Sequence, residues 1–221
     1  MNGPSRADGF ELLRSEMVER LRSHYHITDD RVLDIMNALP RQLFVPEALR
    51  SQSYRDNALP ISAGQTISQP FIVARMTELL GLTGREKVLE IGSGTGYQTA
   101  VLASLAGHVY SIERIEGLYD DARRRLADLG LRNVTLRRGD GTKGWPAYAP
   151  YDAILVAAGG PEIPQPLVEQ LAVGGRLVVP VGADKRSQVL MRVTRKDSGT
   201  VAEKCGACAF VPLVGEHGWS E

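Results

Sequence analysis

The segment Val88-Leu89-Glu90-Ile91-Gly92-Ser93-Gly94-Thr95-Gly96-Tyr97 sets three glycines at alternate positions between an apolar run and a helical pattern. Glycine permits a tight strand-to-helix turn and lets a ligand lie against bare backbone. A dinucleotide fingerprint would place a Gly or Ala three residues after Gly94, and Tyr97 stands there instead. The spacing therefore suits a nucleoside passing over the loop better than a pyrophosphate docked on a helix end. Glu113 closes the next apolar run, about 20 residues further on, where a carboxylate can accept both ribose hydroxyls. Asp140, in Arg138-Gly139-Asp140-Gly141, closes the third run and comes within reach of an adenine amine. Glu90 sits inside the first strand end, beside the place a cationic ligand would take. One such acid could be a solvated loop residue. Three at consecutive strand ends describe a nucleoside site whose negative field favours a sulfonium cofactor.

Those acids converge only if the strands are parallel, and the hydrophobic pattern predicts that they are. Apolar runs at 88–91, 109–112, 134–136, 152–158 and 176–181 alternate with helical patterns at 66–82, 97–105, 115–129 and 166–171. Alternating strands and helices mean a parallel sheet, and near-continuous apolar strands mean helices on both faces. The fold class expected is α/β: a doubly wound, mostly parallel Rossmann-like sheet with an antiparallel C-terminal strand. The tail runs at 189–194 and 201–213 are joined through Asp197-Ser198-Gly199, a hairpin signal. Residues 1–60 form a helical extension, with Leu13, Met17 and Leu21 spaced along one helix and Asp29 able to cap a second. Residues 61–221 form the main domain.

Composition narrows the partners. The 221 residues hold 26 basic and 26 acidic side chains, for a formal net charge of zero. This removes the electrostatic footprint of a phosphate-binding nucleic-acid partner. The charged N-terminus has no apolar core of a secretory signal, and no run approaches the roughly 18 apolar residues of a membrane span. Two cysteines make no disulfide scaffold and fit a reducing compartment. A cytoplasmic location, a monomeric state and no membrane or nucleic-acid partner are the expectations.

A second motif precedes the glycine loop. Ala58-Leu59-Pro60-Ile61-Ser62-Ala63-Gly64-Gln65-Thr66-Ile67-Ser68-Gln69-Pro70 resembles the signature of the protein-L-isoaspartate O-methyltransferases. The likeness extends back through Pro40-Arg41-Gln42-Leu43-Phe44-Val45-Pro46. It runs forward through the glycine loop, Gly139-Asp140-Gly141, Pro161-Glu162-Ile163-Pro164 and Phe210-Val211-Pro212-Leu213, over residues 30–215. The resemblance implies S-adenosyl-L-methionine as methyl donor and isoaspartyl residues of damaged proteins or peptides as acceptors. It implies Ser68 as the active-site residue. Ile61, Ser62, Ala63 and Gly64 would close over the cofactor, with Glu90, Gly92, Gly94, Gly96, Glu113, Asp140 and Gly141 as its contacts. Pro212, Leu213 and Val214 belong to the acceptor side. Ser62 stands where the family usually has Gly, and Gly159-Gly160 where other small residues are usual. A related methyltransferase with a small-molecule, RNA or peptide natural-product acceptor, and a non-catalytic cofactor-binding module, are the alternatives.

The chemistry asks for little. An acceptor carboxylate with a pKa of about 4 is already ionised at neutral pH, so no general base is needed. Positioning and removal of water carry the reaction. A hydroxyl such as that of Ser68 can hold one carboxylate oxygen without adding charge, though it could equally cap the following helix. An extended edge at 209–214 offers main-chain groups to a peptide. His24, His26 and His217 read as surface residues. Cys205 and Cys208 lack a second pair for zinc, and three residues apart on a strand they should face opposite sides. Trp145 and Trp219 read as packing residues.

Overall fold

The computed structural model of the chain describes residues 9–185 and 187–220. It opens with α1 (Glu11–Ser23), whose buried face carries Arg14, Met17 and Leu21, while Leu13 is left 41% exposed. A helix turns every 3.6 residues, so the steps of three and four in 14, 17, 21 stay on one stripe where repeated fours drift off it. Helix α2 (Asp30–Ala38) starts at Asp29, whose carboxylate accepts from the Arg31 N–H as expected of an N-cap. Two short 3-10 turns then lead to a small hairpin of β1 (Leu59–Pro60) and β2 (Thr66–Ile67).

The helix expected over 66–82 is shorter. Helix α3 spans Pro70–Leu80, because the proline biases the residues before it to extended backbone and β2 pairs with β1 instead. Gly81 closes α3 in a left-handed conformation. Strands and helices then alternate through β3 (Lys87–Ile91), α4 (Tyr97–Ala103), β4 (His108–Glu113), α5 (Glu116–Asp128), β5 (Val134–Arg138), β6 (Tyr151–Val156) and α6 (Gln165–Glu169). Three long strands finish the chain: β7 (Leu171–Asp184), β8 (Ser187–Lys196) and β9 (Gly199–Cys208).

Seven of these strands form one sheet in the order β5-β4-β3-β6-β7-β8-β9. The pairings from β5 to β7 are parallel and those of β7 with β8 and β8 with β9 antiparallel, which is the mostly parallel sheet with an antiparallel edge that the pattern predicts. One face of the sheet and the helices α1 to α5 share a core containing Met17, Met36, Leu80, Val88, Val101 and Leu126. The other face buries Ile91, Ile154, Leu167, Val179 and Leu213. Crossing from β3 to β4 on one side and to β6 on the other makes β3 the switch point of the order, where a ligand crevice opens beyond the strand ends.

The last strand departs from expectation. It ends at Cys208 and not near 213, because the register with β8 shifts by a bulge between Val189 and Met191 and the Phe210 N–H turns to the Gln188 side chain. The same bulge turns Cys205 and Cys208 to one face, both against the α-helical core, correcting the expected opposite facing.

Candidate active site

The strand ends and the segments 65–68 and 211–214 enclose a cavity of ≈ 320 Å³. One wall is the glycine loop. Gly92, Gly94 and Gly96 all take positive φ (90°, 52° and 92°), which side-chain-bearing residues adopt only with strain. A Cβ at Gly94 would meet nothing within 4 Å, so this backbone faces open space. Glu113 fixes the loop: one carboxylate oxygen accepts from the Gly94 N–H at 2.8 Å and the other from the Ile115 N–H at 2.9 Å. Both Glu113 and Gly141 line the cavity, and a Cβ at Gly141 would sit 2.3 Å from the Ile91 side chain.

The other two acids sit differently from the expectation of direct contact. Asp140 turns its carboxylate to the Thr142 N–H and hydroxyl and to the Glu216 N–H, which hold it ionised below the usual range although partial burial opposes them. It ties the C-terminal tail to the strand end, while Gly139 and Gly141 present backbone to the cavity. Glu90 lies beneath the loop with no exposed surface and does not line the cavity. Burial lifts its carboxyl to about 7, against hydrogen bonds from Ser111 and Thr99 and with the negative Glu113 adding to the rise.

The opposite wall is built from distant segments. Ser68 lines the cavity and its hydroxyl has no protein partner among the described residues. It is not the helix cap: Gln69 holds that position, and the Phe71 N–H of the first turn is satisfied by Asp56. Gln69 also donates to Asp56, as does the Tyr25 hydroxyl. The Ser68 carbonyl is held by Arg41 at 2.7 Å. Residues 61–64 form a turn outside the cavity lining, with Ser62, Ala63 and Gly64 exposed; the wall begins at Gln65. Ser62 needs no glycine, since the non-glycine residue in left-handed backbone there is Ala63, at φ 56°.

Residues 211–214 complete the wall. Gly159 grips them, its N–H donating to Val211 and its carbonyl accepting from Leu213 at 2.8 Å each, and Trp219 closes the Leu213 carbonyl. These bonds leave the Pro212 carbonyl and the Val214 N–H outside the pairing. The glycine pair at 159–160 is a packing requirement: a Cβ at Gly159 would lie 2.8 Å from the Gln188 side chain and one at Gly160 2.9 Å from the Glu162 carbonyl. Arg41, Asp56 and Gln188 escaped sequence reading, because no short motif links a buried side chain to a carbonyl or amide it meets across the fold.

Four buried side-chain polar atoms lack a partner among the described residues: Glu90 Oε1, Ser93 Oγ, Tyr97 Oη and Arg41 Nη1. All sit at or directly behind this cavity. Arg41 and Tyr97 lie close enough to act on each other through a side-chain hydrogen bond, which leaves Glu90 and Ser93 as the buried groups a polar ligand nearby would serve. The Ser93 hydroxyl at the cavity wall, with the Glu90 acid behind it, suits a cationic amino-acid moiety, and the glycine backbone suits a nucleoside. Together with the sheet order, they define a Rossmann-like, S-adenosylmethionine-dependent methyltransferase.

Comparisons with known proteins place the chain within that class. Residues 12–218 match the family model described as protein-L-isoaspartate(D-aspartate) O-methyltransferase. The protein-L-isoaspartate O-methyltransferase of Syntrophus aciditrophicus is 55% identical over 96% of this chain and 99% of its own. That of Geobacter metallireducens is 53% identical over 95% and 97%. A solved protein-L-isoaspartate O-methyltransferase superposes with a TM-score of 0.84 at 31% identity, over 93% of this chain and 67% of that one. A Plasmodium falciparum structure described as a putative enzyme of this kind in complex with S-adenosyl-L-homocysteine gives 0.78 at 25% identity, over 91% and 98%. The chain belongs to the protein-L-isoaspartate(D-aspartate) O-methyltransferase family, and its activity is the methyl esterification of isoaspartyl residues with S-adenosylmethionine as donor.

Proposed function

We propose that the cavity divides this reaction between its two walls, with Gly92, Gly94, Gly96, Glu113 and Gly141 holding the donor and Ser68, Pro212, Leu213 and Val214 holding the acceptor. The carrying observation is the free Ser68 hydroxyl opposite the glycine loop, with the unpaired Pro212 carbonyl and Val214 N–H beside it. When bound, S-adenosylmethionine supplies an electrophilic methyl group on a cationic sulfur. Ser68 Oγ–H would donate to one oxygen of the acceptor carboxylate and leave the other free to accept a methyl group. Val214 and Pro212 pair with the main chain of the acceptor, which an isoaspartyl link lengthens by a methylene and branches. No histidine lines the cavity, and none is needed to move a proton. Glu90 and Asp140 act from behind the donor wall, Glu90 through its orphaned oxygen and Asp140 by holding the strand end. Ile61, Ser62, Ala63 and Gly64 form the rim through which the donor enters.

The proposal extends to D-aspartyl residues as acceptors and to damaged proteins as physiological substrates, with the methyl ester collapsing to a succinimide that reopens partly as aspartate. The enzyme acts as a cytoplasmic monomer without nucleic-acid or membrane partners, residues 1–60 serving as a helical extension on the domain 61–221, of which residues 1–8, 186 and 221 lie outside the described residues. None of the described helices is long and apolar enough to cross a membrane. The test is incubation with radiolabelled S-adenosylmethionine and paired peptides that differ only in aspartate against isoaspartate. Base-labile label in the isoaspartyl peptide alone is the expected result, and label in neither removes the proposal.

A further inference from the structure

Arg41 has no exposed surface, and burial pushes its pKa below the usual guanidinium value despite the opposing fields of Tyr97, Tyr54 and Asp56. A buried charge is costly unless its donors are used, so its contacts need explaining. Nε donates to the Ser53 carbonyl at 2.8 Å and Nη2 to the Ser68 carbonyl at 2.7 Å. The guanidinium stands 4.8 Å from the centre of the Tyr97 ring, which itself lines the cavity and packs edge-on against Phe44. The third nitrogen, Nη1, makes no well-aligned hydrogen bond among the described residues, though the Tyr97 hydroxyl lies near enough to act on the guanidinium as a hydrogen-bond partner. Among the described residues no carboxylate is hydrogen-bonded to Arg41: Asp56, whose field reaches it, is engaged by Tyr25, Gln69 and Phe71. The side chain therefore does not serve as half of an ion pair. It bridges two loops and the first residue of α4.

We infer that Arg41 is the positioning residue of the acceptor site: its rigid fork spans the carbonyls of Ser53 and Ser68 and so sets where the Ser68 hydroxyl points. The geometry requires a planar donor fork. A lysine carries its donors on one atom and cannot reach two carbonyls held apart in this way while stacking on Tyr97. Two further supports converge on the same segment, since Asp56 fixes Gln69 and Phe71 on the other side of Ser68. Held from both sides, Ser68 keeps its hydroxyl free for a ligand at the acceptor end. Its misplacement by an ångström is enough to lose most of the benefit of orientation.

The inference rests on the assignment of Ser68 to the acceptor, and the two fail differently. Failure of that assignment shows in the wild-type and Ser68→Ala proteins, which would then methylate an isoaspartyl peptide equally well. Failure of the inference shows in a double-mutant cycle. Arg41→Lys is expected to lower kcat for the peptide about 30-fold, counted per cofactor-binding site by titration, with peptide KM and cofactor Kd within about threefold of wild type. In the Ser68→Ala background the same substitution is expected to cost less than about threefold, because the group it positions is gone. Equal losses in both backgrounds, or a loss confined to the number of cofactor-binding sites, overturn the inference. Arg41→Gln, neutral and able to reach one carbonyl, goes through the same cycle in parallel, so that a folding failure of one variant leaves the other to decide.

Discussion

The donor wall and the acceptor wall each rest on one charged side chain with no exposed surface, Glu90 under the first and Arg41 behind the second. When ionised, their signs oppose those of the ligands that the proposed division gives to each wall, a cationic sulfur and an anionic carboxylate. In the reaction these two ligand charges neutralise each other, so a protein charge touching either would favour the bound ground state over the transition state. Neither Glu90 nor Arg41 lines the cavity. Each stands one layer back, shaping the wall through hydrogen bonds: Glu90 to Thr99 and Ser111, Arg41 to Ser53 and Ser68. The comparison teaches that these two buried groups fix geometry from behind the walls, while backbone, hydroxyl groups and the Glu113 carboxylate line the cavity itself.

The largest effect expected from breaking this arrangement is on the donor wall. Glu113→Ala strips the partners from the Gly94 and Ile115 N–H groups and frees the loop. Each bond to a charged group is worth about 1.5–3 kcal/mol. Cofactor Kd measured by calorimetry should rise about 100-fold or more, with Glu113→Gln falling between. A rise of less than about threefold would show that the loop holds itself. On the acceptor wall the effect should be smaller and of another kind. Val214→Pro deletes an N–H that no group among the described residues uses, so peptide KM should rise about tenfold while cofactor Kd stays put. Steady-state kinetics with an isoaspartyl peptide reads this directly, and unchanged peptide kinetics would dismiss main-chain pairing at this edge.

The two walls also differ in how far the sequence revealed them. The donor wall is local: a strand, three glycines and a helix lie within ten residues, and the acids follow at strand ends that periodicity locates. Glu113 and Gly141 accordingly line the cavity at the strand ends. Even here the direction of a side chain was not legible. Asp140 spends its oxygens on Thr142 and on Glu216, a residue 76 positions away, and only the fold brings that tail back. The acceptor wall joins segments near 41, 53, 68, 159, 188 and 212, and motif likeness flagged Ser68 without its support. Arg41 stood inside a recognised run, yet its burial and its two carbonyl partners depend on packing. Strand β9 shows the same limit: alternation carries it on to 213, while a bulge against β8 ends it at Cys208 and turns both cysteines one way.

The smallest effect expected concerns stability and separates the two buried charges by pH. Arg41, though its pKa is lowered, starts from a guanidinium value far above neutrality, whereas Glu90 titrates near 7. An unfolded glutamate has a pKa of about 4.3. Between that value and about 7 the folded protein holds a proton at Glu90 that the unfolded chain has lost. Stability from this group is therefore full below the lower value, falls as pH rises through the window, and is flat above it. The total is on the order of 3 kcal/mol. Glu90→Gln removes the titration while keeping an acceptor for Thr99 and Ser111. The melting temperature of the variant relative to wild type should climb from pH 5 to pH 8, by about 5 °C or more for a chain of this size. Scanning calorimetry at four pH values measures the gap. A gap that does not change with pH would mean that Glu90 keeps an ordinary carboxyl in the fold and stays ionised beneath the donor wall across this range.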